Sequence, residues 1–247
     1  MSSIPDIVRT HDRDLYLASL FAPDDKRADL LALYAFHVEV SRIPLLVSEV
    51  AIGMIRLQWW RDTIESLYAG GEGGGHPVAA ALARAIGAGG LPKQALLDLV
   101  TAHEFDLFSD PMPDLTALEA YLGETRSRLM LMAAMILDRA AAPKASEVAG
   151  LGGVAAGLTL VLADPRRRGP FLPPGMTLEL AIAHAVHRLG EALALVPALP
   201  RALLPAVLPL SLTSLYLKRI AAAPDVPLSV SPLRRQLTMW WTARRWG

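Results

Sequence analysis

The sequence lacks cysteine altogether, which excludes disulfide bonds, thiolate chemistry and cysteine-ligated zinc and is compatible with a reducing compartment. It also lacks an excess of either charge, since 24 Lys and Arg residues balance 24 Asp and Glu residues. A nucleic-acid partner would require a basic excess or a basic stripe, so we expect none. The polar N-terminal stretch SSIPDIVRTHDRD has no apolar core of the kind found in signal peptides. We therefore expect a cytoplasmic or an already processed protein.

Long hydrophobic runs are missing as well. No run reaches the roughly 18 uncharged apolar residues that a membrane-spanning helix requires. The nearest candidates are residues 148–163, which contain four glycines, and residues 202–217, which contain Pro205 and Pro209. We interpret both as helices of a protein core. Peripheral attachment to the surface of a membrane, such as the inner membrane, stays compatible with the sequence.

The chain does have a high apolar content with helical periodicity. Hydrophobic residues make up 53% and charged residues 19% of 247 residues, so we expect a single domain over residues 1–247 with a substantial core. Apolar residues recur at intervals of three and four, and no segment shows convincing strand alternation. Helices are predicted over 12–21, from 24 until Pro44 ends or kinks the helix, and over 49–68, 77–87, 92–110, 118–136, 147–163, 178–196, 210–223 and 232–245. The sequence thus predicts an all-α fold of about ten helices.

Several motifs occur in an order and spacing that resembles the squalene/phytoene synthase family. They are Tyr34-Ala-Phe36, Gly53-x-x-Arg56-x-x-Trp59-Trp60-Arg61, His76-Pro77-Val78, Gly157-Leu-Thr159 and Gly169-Pro-Phe-Leu-Pro173. The resemblance covers residues 12–173 and is weaker over the remainder. It implies an isoprenoid-synthase-type bundle of helices that encloses a central, largely apolar cavity.

Members of that family hold Mg²⁺ ions with aspartates from two facing helices, and these ions ionise the diphosphates of prenyl substrates. The first aspartate motif falls on Ser41, Arg42 and Leu45 here, so its three acids are missing. In the second motif Leu160 replaces a polar residue, and Asp164 is the one acid still present. We therefore predict no catalytic residue and no metal site. The alternative is an active head-to-head prenyl transferase with an atypical Mg²⁺ site.

One branch of the family shares further features with this chain, namely the proteins related to the phytoene-synthase-like assembly factor of mitochondrial respiratory complex I. The shared features are Asp12-Arg13-Asp14 followed by Leu20-Phe-Ala-Pro23, the helix entry Val47-Ser-Glu49 and the face Arg56-x-Gln58-x-Trp60. This branch also lacks the aspartate-rich motifs. The resemblance implies a non-enzymatic or lipid-binding role in the assembly of complex I (NADH dehydrogenase). Its implied contacts are assembly partners, an isoprenoid or lipid ligand, and a peripheral membrane surface.

The helical faces and the resemblance together give a set of candidate pocket residues. They are Tyr34, His37, Val38, Arg42, Arg56, Trp60, Gly157, Leu160 and Asp164. Arg42, Arg56 and the run of three arginines at 166–168 could bind a diphosphate or a lipid head group without metal. The alternative is that these arginines are scattered over the surface or engaged in ion pairs.

Three further patterns have two interpretations each. His184, His187 and Glu191 share a helical face, which could ligate a metal or, the favoured interpretation, could be solvated. Trp59 and Trp60 point about 100° apart on a helix, so we expect one in the core and the other at an interface or pocket rim. The C-terminal stretch 234–246 interleaves Trp with Arg. This composition suits a membrane interface, and packing of the tryptophans on the bundle is the competing interpretation.

Overall fold

The computed structural model describes residues 3–108, 110–165 and 168–246, and this part of the chain consists of helices and connecting turns without a strand. The α-helices are α1 (Ile4–His11), α2 (Arg13–Ser19), α3 (Asp24–Ser41), α4 (Ile43–Leu46), α5 (Val50–Tyr68), α6 (Pro77–Gly89), α7 (Lys93–Ala102), α8 (Leu115–Leu122), α9 (Arg128–Leu137), α10 (Ser146–Leu162), α11 (Arg168–Phe171), α12 (Leu178–Leu195), α13 (Leu204–Val207), α14 (Leu210–Ala222) and α15 (Pro232–Trp246). The all-α prediction is confirmed.

Helices α3 and α10 are the central elements of the fold. Every residue from 30 to 38 of α3 is buried, and a helix that is buried around its whole circumference must be surrounded by other elements. One hydrophobic core lies around α3, with α5, α6, α7 and α9, and a second lies around α10, with α8, α12 and α14. A third, smaller core joins α2, α14 and α15.

The N-terminal region differs from the prediction of one helix over 12–21. It forms two helices, because Ser3 caps α1 by accepting a hydrogen bond from the Asp6 amide, and Asp12 then ends α1. The Asp12 carboxylate caps α2 in turn, accepting a hydrogen bond from the Leu15 amide at 3.1 Å. The earlier helix α1 was missed because this stretch was considered only for its polar composition and not for helical periodicity.

Proline ends a helix where it was predicted to do so. Helix α3 stops at Ser41, and Pro44 lies in the first turn of the short helix α4, where its missing N–H is tolerated. The predicted helix over 92–110 was too long. It stops at Ala102, and a 3₁₀ turn at Phe105–Leu107 follows, stabilised by His103, whose Nδ1 lies 2.6 Å from a carboxylate oxygen of Asp106.

The entry to α10 and the loop after it also differ in detail. The 3₁₀ turn Ala142–Ala145 runs directly into α10, so Ala145 occupies the cap position and Ser146 is already the first helical residue. Within the predicted loop after residue 164, the four-residue helix α11 forms at Arg168–Phe171. The Arg168 guanidinium donates hydrogen bonds of 3.0 and 2.7 Å to the Leu162 carbonyl, which satisfies the C-terminal end of α10.

Helices α8 and α9 form one long helix, as predicted for 118–136, but a π-helical segment at Gly123–Ser127 interrupts it. Helix α10 approaches this segment closely at Gly153, where a Cβ would lie 2.3 Å from the Ser127 Cα. The Ser127 hydroxyl donates a hydrogen bond of 2.9 Å to the Gly150 carbonyl. This approach places the π segment and α10 on two sides of one cavity.

Two helical stretches are long and apolar enough to cross a membrane by length and composition alone, namely Ala142–Leu162 and Arg201–Ala222. In each, 67% of the most apolar window is buried inside the protein. Both stretches therefore contribute to the hydrophobic cores, as was predicted for residues 148–163 and 202–217.

Candidate functional site

A cavity of about 190 Å³ lies between α3, α10 and the π segment. Its lining residues are His11, Asp12, His37, Val38, Ser41, Arg42, Leu45, His103, Tyr121, Leu122, Thr125, Arg126, Gly157, Leu160 and Val161. The apolar share that was predicted comes mainly from α3, α4 and α10. The π segment, α7 and the α1–α2 junction add polar and charged groups, because each of them ends or is interrupted at the cavity.

The structure brings many of the predicted site residues together. His37, Val38, Ser41, Arg42 and Leu45 line the cavity from successive turns of α3 and α4. Gly157 and Leu160 line it from α10. The two helices that correspond to the family's aspartate motifs therefore do face one common space.

Four predicted pocket residues do not line the cavity. Tyr34 and Trp60 are buried in the core, where Trp60 packs edge-on against Phe36 with ring centroids 5.1 Å apart. Arg56 is exposed on α5, and Asp164 follows the end of α10. Tyr34 was misplaced because it lies one turn before His37 on the same helical face, but deeper in the core.

The arginine cluster that was considered at the sequence level is not assembled by the described residues. Arg42 lies in the cavity, Arg56 lies on the surface, and Arg168 is engaged by the end of α10. Arg166 and Arg167 lie outside the described residues.

The charged groups of the cavity are two arginines and one carboxylate. Asp12 Oδ2 accepts a hydrogen bond of 3.0 Å from the Arg126 guanidinium, and both side chains are largely buried. Among the described residues, the Arg42 guanidinium makes no hydrogen bond or ion pair, so one positive charge faces the cavity uncompensated. Arg42 also acts on its neighbour His11, whose pKa is lowered first by partial burial and then by the charge of Arg42.

The inner end of the cavity carries one neutral, desolvated group, the imidazole of His37. His37 is 2% exposed, and its Nδ1 has no hydrogen-bond partner in the described part of the chain. Burial lowers the pKa of His37 well below its usual range, and the charge of Arg126 and the neighbouring His103 lower it further. Burial likewise raises the pKa of Tyr34, whose hydroxyl also has no partner in the described part. An uncharged imidazole therefore lies behind the two arginines.

Sequence reasoning missed several lining residues, chiefly Asp12, His103, Thr125 and Arg126. Thr125 lay within the helix predicted over 118–136 without being singled out, and Asp12 was named only as part of a family motif. His103 and Arg126 carried no local signal. A carboxylate, an imidazole and a guanidinium from distant chain segments form a site only because α9 packs against both α3 and α10.

The lining residues do not fit the Mg²⁺ ions that the aspartate motifs of the resemblance imply. Mg²⁺ is held by carboxylate, phosphate and water oxygens in octahedral geometry. Of the lining residues only Asp12 carries a carboxylate, and Arg126 already engages it. Within the described ranges no group of three His, Asp or Glu side chains could hold a metal ion.

The second metal interpretation concerned His184, His187 and Glu191 of α12. Each of these side chains has an ion-pair partner. His184 Nε2 lies 2.9 Å from Glu119 of α8, while His187 lies 3.7 Å from Glu191. Arg188 binds Glu119 at 2.8 Å and Glu191 at 3.3 Å. These residues form an ion-pair network between α8 and α12.

An apolar rim of exposed side chains continues from the cavity along α4 and α5. It consists of Leu45, Leu46, Val50, Ile52, Ile55 and Trp59. Ile55 is 69% exposed, and Ile52, Ile55 and Trp59 follow one face of α5 at intervals of three and four. The prediction for the tryptophan pair is confirmed in that Trp60 is in the core and Trp59 is exposed.

Comparison with known proteins identifies relatives of two kinds. The family model described as squalene/phytoene synthase matches residues 8–168, more than half of the chain. The chain is 31% identical over 187 residues to human "NADH dehydrogenase (ubiquinone) complex I, assembly factor 6", and this match covers 74% of the chain and 54% of that protein. The homologue of Drosophila melanogaster is 30% identical over 190 residues, with 74% and 55% covered. The chain thus spans about half the length of the curated relatives it matches.

Solved structures confirm the fold. A dehydrosqualene synthase superposes with a TM-score of 0.80 at 16% identity, covering 98% of this chain and 94% of the other. The squalene synthase HpnC from Alicyclobacillus acidocaldarius superposes with a TM-score of 0.72 at 19% identity, covering 90% and 93%. The isoprenoid-synthase-type helical bundle predicted from the motifs is therefore confirmed.

Proposed function

The chain belongs to the squalene/phytoene synthase family, and from this premise we propose that it is a catalytically degenerate member that supports the assembly of respiratory complex I. The proposed loss of catalytic activity rests on the side chains that line the cavity, because too few of them can bind a metal ion. Ser41, Arg42, Leu45 and Leu160 occupy it where family members place metal-binding polar groups. Ionisation of a diphosphate needs cations that bridge its oxygens to the protein, and this lining supplies too few oxygens to hold them.

The size of the cavity supports the same proposal. Sites for drug-sized ligands commonly measure about 300–1,000 Å³, whereas this cavity measures about 190 Å³. A head-to-head condensation must hold two long prenyl diphosphates at once. The exposed Leu160 and Leu45 at the cavity are apolar and cannot bind phosphate.

The assembly role rests on relatives whose names state it, combined with an exposed apolar surface. An assembly factor acts by contact with other proteins, and contiguous exposed apolar side chains mark such contacts. The apolar rim on α4 and α5 meets this description, and we propose it as the surface for an assembly partner. The protein would then act at the inner membrane, where a respiratory complex is built.

A ligand of the cavity is part of the proposal. The uncompensated Arg42 favours an anionic group, such as the head of an isoprenoid or lipid, and binds it without metal. The apolar rim that begins at Leu45 provides a surface along which the apolar chain of such a molecule can lie. The alternative function, an active prenyl transferase with an atypical Mg²⁺ site, is supported by the family match and the shared fold.

Purified protein incubated with farnesyl or geranylgeranyl diphosphate and Mg²⁺ is expected to release no diphosphate above the background without protein. The triple variant Ser41→Asp, Arg42→Asp, Leu45→Asp is expected to stay inactive, because the facing helix α10 still presents Leu160. Diphosphate release is measured together with extraction of the hydrocarbon product, and an active synthase in the same buffer is the positive control. A squalene- or phytoene-length product from the parent protein would establish the alternative.

Deletion of the gene is expected to lower the amount and activity of assembled complex I severalfold, measured by native gel electrophoresis and NADH oxidation. The parent gene should restore both. Ile55→Asp should fail to restore them, because it places a charge in the apolar rim without touching the core. Leu180→Asp is the matched control, since Leu180 is similarly exposed but lies on α12. Normal complex I in the deletion strain would refute the assembly role.

A further inference from the structure

Helix α15 has two apolar faces, of which only one is used by the fold. The inner face carries Arg235 and the fully buried Met239, and Trp246 packs onto the cores beneath it. The outer face carries Leu233, Leu237, Trp240 and Trp241, all of them exposed. At about 100° per residue, these four residues lie within roughly one third of the helix circumference, opposite Met239.

The inner face is fixed by a polar anchor as well as by packing. Asp14 of α2 accepts a hydrogen bond of 3.0 Å from Arg235 and one of 2.7 Å from the Tyr216 hydroxyl of α14. Three helices are thereby joined at one buried carboxylate. Because α15 is held from within, its outer face is presented to the exterior in a fixed orientation.

The end of α2 extends this outer surface. Leu20 and Phe21 are exposed, and together with Leu17 they face Leu233, Leu237 and Trp240 across a groove of about 400 Å³. We call the six exposed residues Leu20, Phe21, Leu233, Leu237, Trp240 and Trp241 the α15 face. It is distinct from the cavity and from the apolar rim on α4 and α5.

The charges on α15 itself all have one sign. From residue 226 to the last residue, the sequence contains four arginines and no acidic residue. Arg235 is engaged by Asp14, whereas Arg234, Arg244 and Arg245 are exposed beside the outer face. The Arg244 guanidinium lies over the Trp240 ring at 4.0 Å from its centroid, so the two act as one amphipathic unit.

We propose that the α15 face docks on the surface of a bilayer that contains anionic lipids, with α15 lying in the plane of the interface. Indole rings prefer the head-group region, where their apolar body and polar N–H are both accommodated. Leucine and phenylalanine side chains enter the acyl boundary, and exposed arginines meet lipid phosphates. The surface thus places the protein on a membrane independently of whichever partner it assembles.

The charge pattern excludes the simplest other occupant, a second copy of the chain. A two-fold interface would place the same patch on both sides, so the arginines of α15 would face one another. The acids beside the patch, Asp24 and Asp25, already pair with Arg27 and Lys26. An anionic lipid surface supplies the opposite charge over the whole area.

The test is binding to vesicles of phosphatidylcholine with and without phosphatidylglycerol, measured by flotation at several salt concentrations. The parent protein should bind the anionic vesicles, and binding should weaken as salt rises.

The double variant Leu237→Ser, Trp241→Ser should bind the vesicles about tenfold or more weakly, because it removes inserted apolar area. The double variant Arg234→Gln, Arg245→Gln should lose roughly 25-fold on anionic vesicles, at about fivefold per arginine.

Leu180→Ser and Val186→Ser are the matched controls, since each removes an exposed apolar side chain elsewhere, on α12. Both should bind like the parent, and all variants should keep its circular dichroism spectrum, because each altered residue is exposed. The proposal is overturned if the parent does not bind anionic vesicles or if the α15 variants bind as the parent does. It is overturned equally if the parent is a dimer in solution that the α15 variants dissociate.

Discussion

Replacing Gly153 with alanine is expected to lower the free energy of unfolding by about 3 kcal/mol. A Cβ at this position would lie 2.3 Å from the Ser127 Cα and 2.5 Å from its backbone nitrogen. Backbone atoms cannot turn aside as the tip of a flexible side chain can, so α10 and the π segment must move apart. Chemical denaturation followed by circular dichroism measures the change.

The matched control lies one turn away on the same helix. A Cβ on Gly150 would meet nothing within 4 Å, so Gly150→Ala is expected to raise stability by about 0.5–1 kcal/mol through the better helix propensity of alanine. We therefore expect Gly153→Ala to lower the free energy of unfolding and Gly150→Ala to raise it. Equal losses in both would show that α10 tolerates no methyl group anywhere and that the close approach at Ser127 is not the cause.

The spacing of residues along α3 and α10 explains which part of the site could be predicted from the sequence. His37, Val38 and Arg42 follow one face of α3, and Gly157 and Leu160 one face of α10, so helical spacing plus the family motifs placed these five residues at the cavity. The spacing of residues along a helix determines the direction in which their side chains point, but not how deeply those side chains are buried. Tyr34 shares the direction of His37 and is nevertheless buried in the core.

The remaining lining residues depend on tertiary packing. Asp12 and Arg126 form an ion pair although 114 residues separate them, and no local pattern signals such a pair. The π segment was missed for a related reason, since the apolar residues of the long helix keep their spacing of three and four on both sides of it. Its close contact with α10 at Gly153 is likewise a tertiary feature that the spacing of apolar residues does not reveal.

The stability of the protein is expected to fall below about pH 6.5 in a way that depends on His37. Burial lowers the pKa of His37 in the folded protein well below the value of 6.5 for a free side chain. Between these two values the unfolded chain binds a proton that the folded chain does not. The stabilisation is therefore complete above pH 6.5 and is lost on acidification, by up to about 1.4 kcal/mol per pH unit, until the lowered pKa is reached.

The variant His37→Gln isolates this contribution, because glutamine keeps a polar side chain and does not titrate. Free energies of unfolding measured between about pH 7.5 and pH 5.5 should fall less steeply for the variant than for the parent, whatever its absolute stability. Val38→Ala is the control, since it removes a neighbouring buried side chain that does not titrate, and it should leave the slope of the parent unchanged. A His37→Gln slope identical to that of the parent would mean that the imidazole takes up its proton in the folded state. The cavity would then carry a third positive charge beside Arg42 and Arg126, and its inner end would not be the neutral surface described for it.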